Sequence, residues 1–184
     1  MRKVSVLLLV IASMLPFAVP TVSADDTVCR GTIGARSLEN VVVPDGATCT
    51  LEGTRVDGNI KVLTGAALRA YGVVVGGNIQ AEGARNVIVR QRSSVGGSIQ
   101  IKQGGRATID LVTVNGDVQL ESNRGALQVS RNRIRANLQV FKNTGGVSIT
   151  NNRIAENLQC KENRPAPTGG GNIAGDKEGQ CARL

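Results

Sequence analysis

Apolar and polar residues alternate along the middle of the chain, in short runs that recur about every 20 residues. The alternation is clear in Ile99-Gln100-Ile101 and again in Leu138-Gln139-Val140. A second alternating run follows a glycine-containing turn in each repeat, as in Val147-Ser148-Ile149. A period of two residues is typical of a β-strand that buries one face. The pattern therefore predicts two or three short strands in each repeat and negligible helix.

Six copies of one motif define the repeat. The copies begin at Val56, Val75, Val95, Val114, Ile134 and Ile154. Successive starts are separated by 19, 20, 19, 20 and 20 residues, and a fixed period of this length marks a solenoid. Leucine-rich repeats have a similar period, but their Leu-x-x-Leu-x-Leu signature is absent. We therefore expect an all-β fold, a single-stranded parallel β-helix of about seven coils with 19–20 residues each.

Stacking of the coils would align equivalent residues in rows that run along the axis, with neighbouring residues of one row about 4.8 Å apart. Two rows are apolar and are predicted to face inward: Ile60, Ile79, Ile99, Val118, Leu138 and Leu158, and then Val62, Ala81, Ile101, Leu120, Val140 and Cys160. The row between them is polar and predicted to face outward: Lys61, Gln80, Gln100, Gln119, Gln139 and Gln159. The glutamines suit either a structural amide ladder, which we favour, or a flat polar binding face. Asn132 and Asn152 are expected to stack similarly at a turn.

The composition agrees with a thin coil. The 184 residues include no Trp, one Tyr, two Phe and 23 Gly. Facing strands of a narrow solenoid lie roughly 10 Å apart, which leaves room for Val and Ile but rarely for Trp. The chain also has no His, which excludes an imidazole base and every His-ligated metal site. We expect no cofactor and no metal.

The first 24 residues are typical of a secretory signal. Arg2 and Lys3 precede the apolar stretch Val4–Val19, and Val22-Ser23-Ala24 offers small residues at a cleavage site. A membrane anchor is the alternative, and Pro16 within the apolar stretch disfavours it. No other stretch is long and apolar enough to span a bilayer. We predict cleavage near Ala24 and export to the periplasm or the extracellular space.

The four cysteines lie towards the two ends of the predicted solenoid. In an oxidising compartment they allow three pairings. We predict the local ones, Cys29–Cys49 and Cys160–Cys181, because each would pin a terminal segment over an end coil. Such capping is needed because end coils expose unpaired strand edges. A four-cysteine metal site is the disfavoured alternative, since the chain contains no Cys-x-x-Cys.

The predicted organisation has four parts. Residues 1–24 are the signal peptide, 25–40 an N-terminal cap, 41–160 the parallel β-helix and 161–184 a C-terminal cap or tail. The tail contains Pro165, Pro167 and Gly169-Gly170-Gly171, so we expect an irregular cap there rather than another coil.

The copies resemble the coils of right-handed parallel β-helices. The segment Val75-Gly76-Gly77-Asn78-Ile79-Gln80-Ala81 shows a short repeat style that is similar to that of bactofilins, the bacterial β-helical scaffold proteins. The similarity covers about residues 40–160. Bactofilins are cytoplasmic and polymerise through their ends, whereas this chain has a predicted export signal and disulfide caps. The resemblance therefore implies the fold and not the cytoskeletal role. Right-handedness follows from the resemblance and from the usual crossover preference.

The acidic residues do not favour an enzyme. Polysaccharide-active β-helices use clustered aspartates, but Asp110 and Asp117 are the only aspartates in the central coils and are predicted on different strands. A glycosidase pair must face one substrate at a defined separation. Glu82, Lys102 and Glu121 fall in one outward row, and their alternating signs favour a salt-bridged ladder. A polysaccharide-active enzyme is thus the least favoured function, and we expect no catalytic activity.

Two arginine stripes carry the most functional potential. The first contains Arg131, Arg133, Arg135 and Arg153, with Arg55 and Arg92 at equivalent or neighbouring positions. The second contains Arg85, Arg106, Arg124 and Arg164. Guanidinium groups suit phosphate, sulfate and carboxylate ligands. The alternative is that both stripes are solvated charge that protects strand edges from aggregation.

Two function classes therefore stay open. The first, which we favour, is an exported structural or surface-display protein. The second is a binding module for an anionic envelope glycan or lipopolysaccharide, with Arg131, Arg133, Arg135 and Arg153 as the polyanion site. Nucleic acid is not an expected partner because the predicted compartment disfavours it and the mature chain keeps only two aromatic residues, Tyr71 and Phe141, on which bases could stack. The sequence does not specify an oligomeric state.

Overall fold

The computed structural model describes residues 25–184, so the predicted signal peptide lies outside the described part. Within these residues there is no helix, and every strand pairs in parallel within one of three sheets, named sheets A, B and C here. Successive strands along the chain enter different sheets, and the partner of each strand lies one repeat away. The molecule is therefore a parallel β-helix, as predicted.

Each sheet takes one strand from nearly every coil. Sheet A contains Asp26–Val28, Asn40–Val43, Ile60–Val62, Ile79–Glu82, Ile99–Lys102, Val118–Glu121, Leu138–Phe141, Asn157–Lys161 and Asp176–Gly179. Sheet B contains Thr32–Ile33, Thr48–Glu52, Ala67–Tyr71, Asn86–Arg90, Arg106–Asp110, Leu127–Ser130, Val147–Thr150 and Thr168–Gly170. Sheet C contains Ser37–Leu38, Arg55–Val56, Val74–Val75, Ser94–Val95, Thr113–Val114, Arg133–Ile134 and Arg153–Ile154.

The β-helix has more coils than the sequence predicts. Its three sheets have nine, eight and seven strands, so the chain makes about eight turns rather than about seven. The difference lies at the ends. Asp26–Val28 pairs with Asn40–Val43, while Thr168–Gly170 and Asp176–Gly179 add to sheets B and A. The expectation that the tail forms an irregular cap and no coil is wrong for these segments, because an open edge can bind added backbone without any apolar pattern.

The core follows the predicted rows. Ile79 lies opposite Ile60 and Ile99, and Ile101 opposite Leu120. The members of both apolar rows of sheet A are buried, as are the matching apolar residues of sheet B such as Val89. The core is one continuous cluster of aliphatic side chains along the axis. Burial of this surface is the main force that holds successive coils together.

Polar ladders run along all three corners of the helix. At the corner between sheets A and B, the backbone N–H of Asn123 donates to Oδ1 of Asn143 at 2.9 Å, and that of Asn143 to Oδ1 of Asn163 at 3.0 Å. At the corner between sheets B and C, the N–H of Asn132 donates to Oδ1 of Asn152 at 3.0 Å. The predicted stacking of Asn132 and Asn152 is confirmed. These side chains satisfy buried backbone donors that the corner removes from the sheets.

The third corner, between sheets C and A, carries a ladder of mixed residues. Backbone N–H groups donate to side-chain oxygens one coil earlier, from Asn78 to Asn59 at 2.9 Å and from Asp117 to Ser98 Oγ at 3.0 Å. The N–H of Asn137 donates in the same way to Oδ1 of Asp117 at 2.9 Å. Each ladder residue thus binds its neighbour one coil away, so the stack is fixed by hydrogen bonds as well as by burial.

Both predicted disulfides are present. Cys29 is bonded to Cys49, with a Cα–Cα distance of 5.4 Å, and Cys160 to Cys181, with a Cα–Cα distance of 5.3 Å. All four residues are buried. The first bond fixes the N-terminal segment to strand Thr48–Glu52, and the second fixes the C-terminal segment to strand Asn157–Lys161. The two ends of the helix are therefore covalently closed.

Candidate functional site: the arginine row of sheet C

Arg133 and Arg153 on sheet C, together with Arg135 directly after the strand Arg133–Ile134, form an uncompensated row of arginines. Arg133 lies directly opposite Arg153 on the neighbouring parallel strand, and both side chains are exposed. Arg135 and Arg133 flank the buried Ile134, so both point outward. Across residues 25–184, these three guanidinium groups have no ion pair and no hydrogen-bond partner. Like charges on neighbouring strands about 4.8 Å apart repel each other, and a bound anion would relieve that repulsion.

Arg131 does not belong to this row. Its side chain lies at the corner that follows sheet B, where the backbone adopts a φ of 55°. Nε of Arg131 donates to Oδ1 of Asp110 at 3.0 Å, and one terminal nitrogen donates to Oδ2 at 2.7 Å. This bidentate pair neutralises the charge of Arg131. The structure thus brings together three of the four predicted residues, Arg133, Arg135 and Arg153.

Asp110 is the most tightly held carboxylate of the central coils. Only 8% of the residue is exposed, and Oγ of Ser130 also donates to Oδ1 at 2.7 Å. The pKa of Asp110 is lowered below its ordinary value, mainly by the hydrogen bonds from Arg131. Burial raises this pKa, but the Ser130 hydroxyl and the positive charge of the nearby Arg90 lower it further. The same hydrogen bonds raise the pKa of Arg131. Asp110 therefore remains an anion that fixes a corner.

The second stripe is held differently. Arg85 donates to the carbonyl oxygens of Gly46 and Gly65, at 3.2 and 3.4 Å, and also to the hydroxyl of Thr48. Its guanidinium group therefore binds the two preceding coils. Arg106, Arg124 and Arg164 are exposed and have no side-chain partner within the described range. Arg106 begins the sheet B strand Arg106–Asp110, and Arg124 and Arg164 lie at turns that precede sheet B, away from the row formed by Arg133, Arg135 and Arg153.

The glutamine row of sheet A has two unlike halves. Nε2 of Gln139 donates to Oε1 of Gln159 at 3.0 Å, and Gln159 donates in turn to the carboxylate of Glu178 at 3.2–3.3 Å. The amides of Gln80, Gln100 and Gln119 have no hydrogen-bond partner among residues 25–184. The amide ladder is therefore formed only towards the C-terminal end.

The neighbouring charged row of sheet A has the predicted order. Glu82 lies opposite Lys102, and Lys102 opposite Glu121. One ion pair is formed, between Nζ of Lys102 and a carboxylate oxygen of Glu121 at 3.8 Å. Both side chains are well exposed, so the pair contributes little to stability.

A shallow groove crosses sheet A where the glutamines are free. Its volume is about 330 Å³, and Lys61, Leu63, Gln80, Glu82, Gln100 and Lys102 line it. Sequence reasoning assigned these side chains to their rows but did not find the groove. The sequence offers no signal for the groove, because Gln80 and Gln100 recur in the same row as Gln139 and Gln159, which do form the amide ladder.

Comparison with protein-family models, with curated proteins and with solved structures gives no match for this chain. The two disulfides indicate an oxidising environment of the kind that exported proteins meet. Residues 25–184 contain no helix with the length and hydrophobicity that crossing a bilayer requires.

Proposed function

We propose that the protein is an exported structural or surface-display β-helix without catalytic activity. The observation that supports this proposal best is the closure of the stack: corner ladders join successive coils, and a disulfide closes each end. The two central aspartates have structural partners, Arg131 and Ser130 for Asp110 and Asn137 for Asp117. Such a molecule is suited to hold its shape outside the cell.

The proposal includes export by the signal peptide, with cleavage near Ala24 and residence in the periplasm or the extracellular space. N-terminal sequencing of the protein from the exported fraction is expected to begin at Asp25. Limited proteolysis of that protein should leave residues 25–184 intact. After reduction of the disulfides, cleavage should begin in the two terminal segments. Cleavage within the central coils of the oxidised protein, or turnover of a polysaccharide in a degradation assay, would contradict the structural role.

A second candidate function is the binding of an anionic envelope polymer, a glycan or lipopolysaccharide. It is favoured by the opposed Arg133 and Arg153, with Arg135 beside them, none of which has an acidic partner in the described part. A flexible polyanion would contact several of these groups at once, so weak single contacts would add through multivalency. Arg131 is omitted from this site because Asp110 binds it.

Retention on immobilised heparin, followed as salt is raised, tests the second candidate. Replacement of Arg133, Arg135 and Arg153 by Gln should abolish most of the retention. The matched control replaces Arg106, Arg124 and Arg164 of the second stripe by Gln, which removes the same three charges from exposed positions outside the row. Equal losses in both variants would attribute retention to net charge and would exclude a specific site.

A further inference from the structure

We propose that the groove on sheet A binds a short stretch of a uronic-acid oligosaccharide. The groove lies over three neighbouring strands, Ile60–Val62, Ile79–Glu82 and Ile99–Lys102. It is on a different sheet from Arg133, Arg135 and Arg153, so the inference does not depend on the polyanion site considered above.

The groove contains glutamine amides that are free to bind a ligand. Gln80 and Gln100 lie opposite each other, but no hydrogen bond joins them, and neither has another partner within residues 25–184. Gln139 and Gln159, in the same row, are hydrogen-bonded to each other. Each free amide can donate two hydrogen bonds and accept others. A pair of such groups, about 4.8 Å apart, is suited to hydroxyl groups on successive parts of one ligand.

Two lysines give the groove positive charge. Lys61 has no ion-pair partner in the described range, and Lys102 has only its 3.8 Å contact with Glu121. The two lysines lie two strands apart, which places them about 10 Å apart along the helix axis. Glu82 lies between them, where it can accept a hydrogen bond from a hydroxyl but would repel a carboxylate. This arrangement fits carboxylates near the two lysines with hydroxyl groups between them.

The lining determines the class of ligand. The groove has no aromatic side chain, so binding must come from hydrogen bonds and charge together. A neutral oligosaccharide would leave Lys61 without a charged partner, and a small inorganic anion could not reach both lysines at once, since they lie about 10 Å apart. An oligosaccharide of uronic acids provides both kinds of group on one chain.

Titration of the ¹⁵N-labelled protein with trigalacturonic acid tests the proposal by NMR. We expect amide shifts confined to Ile60–Val62, Ile79–Glu82 and Ile99–Lys102, and no such shifts with neutral maltotriose. Shifts concentrated at Arg133–Ile134 would instead support the arginine row and overturn the groove. Equal responses to the acidic and the neutral trisaccharide, or no response to millimolar trigalacturonic acid, would also overturn it.

Matched variants separate a site from bulk charge. Replacement of Lys61 and Lys102 by Gln should weaken binding about fivefold, given the modest value of exposed ion contacts. Replacement of Lys142 and Lys161 by Gln removes the same charge and should change the affinity less than about twofold. Likewise, Gln100→Ala should weaken binding about fivefold, while Gln139→Ala should not. Equal weakening within either pair of variants would refute the groove as the binding site.

Discussion

The guanidinium group of Arg131 binds the carboxylate of Asp110 through two hydrogen bonds, although the two residues are 21 positions apart in the chain. They are neighbours because one coil separates them. The pair closes a corner at which Arg131 has a left-handed backbone, a conformation that glycine adopts at the same place in other coils, as at Gly72. The bidentate contact thus offsets a local backbone cost of about 1 kcal/mol.

Asp110 should make stability depend on pH. Because its pKa is lowered in the folded state, its contribution is complete above the ordinary value of about 3.9 and is lost as pH falls through the lowered value. Asp110→Asn should reduce the free energy of unfolding by about 2 kcal/mol at neutral pH. Urea unfolding at several pH values should show this difference shrinking below about pH 4. A difference that is constant with pH would contradict the role of the carboxylate.

Asp117→Asn is the matched control, and we expect it to be nearly neutral. Only Oδ1 of Asp117 accepts hydrogen bonds in its ladder, from the backbone N–H and from Nδ2 of Asn137 at 2.9 and 3.1 Å. An asparagine keeps that oxygen, and Asn59 and Asn78 fill the same ladder in other coils. The free energy of unfolding should change by less than about 0.5 kcal/mol. A loss as large as that of Asp110→Asn would show that the charge of Asp117 matters.

Asn143→Ala should be among the most destabilising polar substitutions. The Asn143 side chain is buried, accepts from the backbone N–H of Asn123 at 2.9 Å and donates to the carbonyl of Leu120 at 2.9 Å. Its removal leaves both groups without partners, at about 1–3 kcal/mol each. Chemical unfolding should show a loss of about 4 kcal/mol. Gln139→Ala, on the outer row, should lose less than about 1 kcal/mol, and equal losses would argue against the ladder.

Removal of the C-terminal disulfide should release one end of the helix before the rest. The bond between Cys160 and Cys181 closes a loop with a sequence separation of 21, and loop entropy assigns it about 3 kcal/mol. In the variant with both cysteines replaced by Ala, hydrogen exchange should first lose protection in Asp176–Gly179. Protection in Leu138–Phe141 should persist. Simultaneous loss in both strands would mean that the bond stabilises the whole helix equally.

Close approach of the coils should make Gly125 intolerant of a side chain. A Cβ atom on Gly125 would lie 2.6 Å from the carbonyl carbon of Gly105 and 2.7 Å from the backbone nitrogen of Arg106. Gly125→Ala should therefore lower the thermal midpoint, with a cost of about 2 kcal/mol. Gly34→Ala is the control, because no atom lies within 4 Å of the added Cβ. If both variants have the same thermal midpoint as the parent protein, the coils do not approach closely at Gly125.

The sequence by itself determined the coil, its period and the side of each residue in the central repeats. Residues such as Ile99 and Gln100 alternate because successive side chains of a strand point to opposite faces, and a fixed spacing between copies sets the register. The disulfide partners also followed, since Cys160 and Cys181 lie about one coil apart. The ladder through Asn123 and Asn143 also recurs every 20 residues in the sequence, although the prediction covers only Asn132 and Asn152.

Tertiary structure alone decided the terminal strands and the partners of the charged groups. Thr168–Gly170 and Asp176–Gly179 have no apolar alternation and become strands because an existing sheet edge offers backbone hydrogen bonds. Arg131 leaves the arginine row because the corner turns its side chain towards Asp110 on the preceding coil. The coil repeat fixes which residues lie in one row and hence the partners of the asparagine ladders. The partners of long charged side chains such as Arg131 depend on the conformation of the corner, which the repeat does not encode.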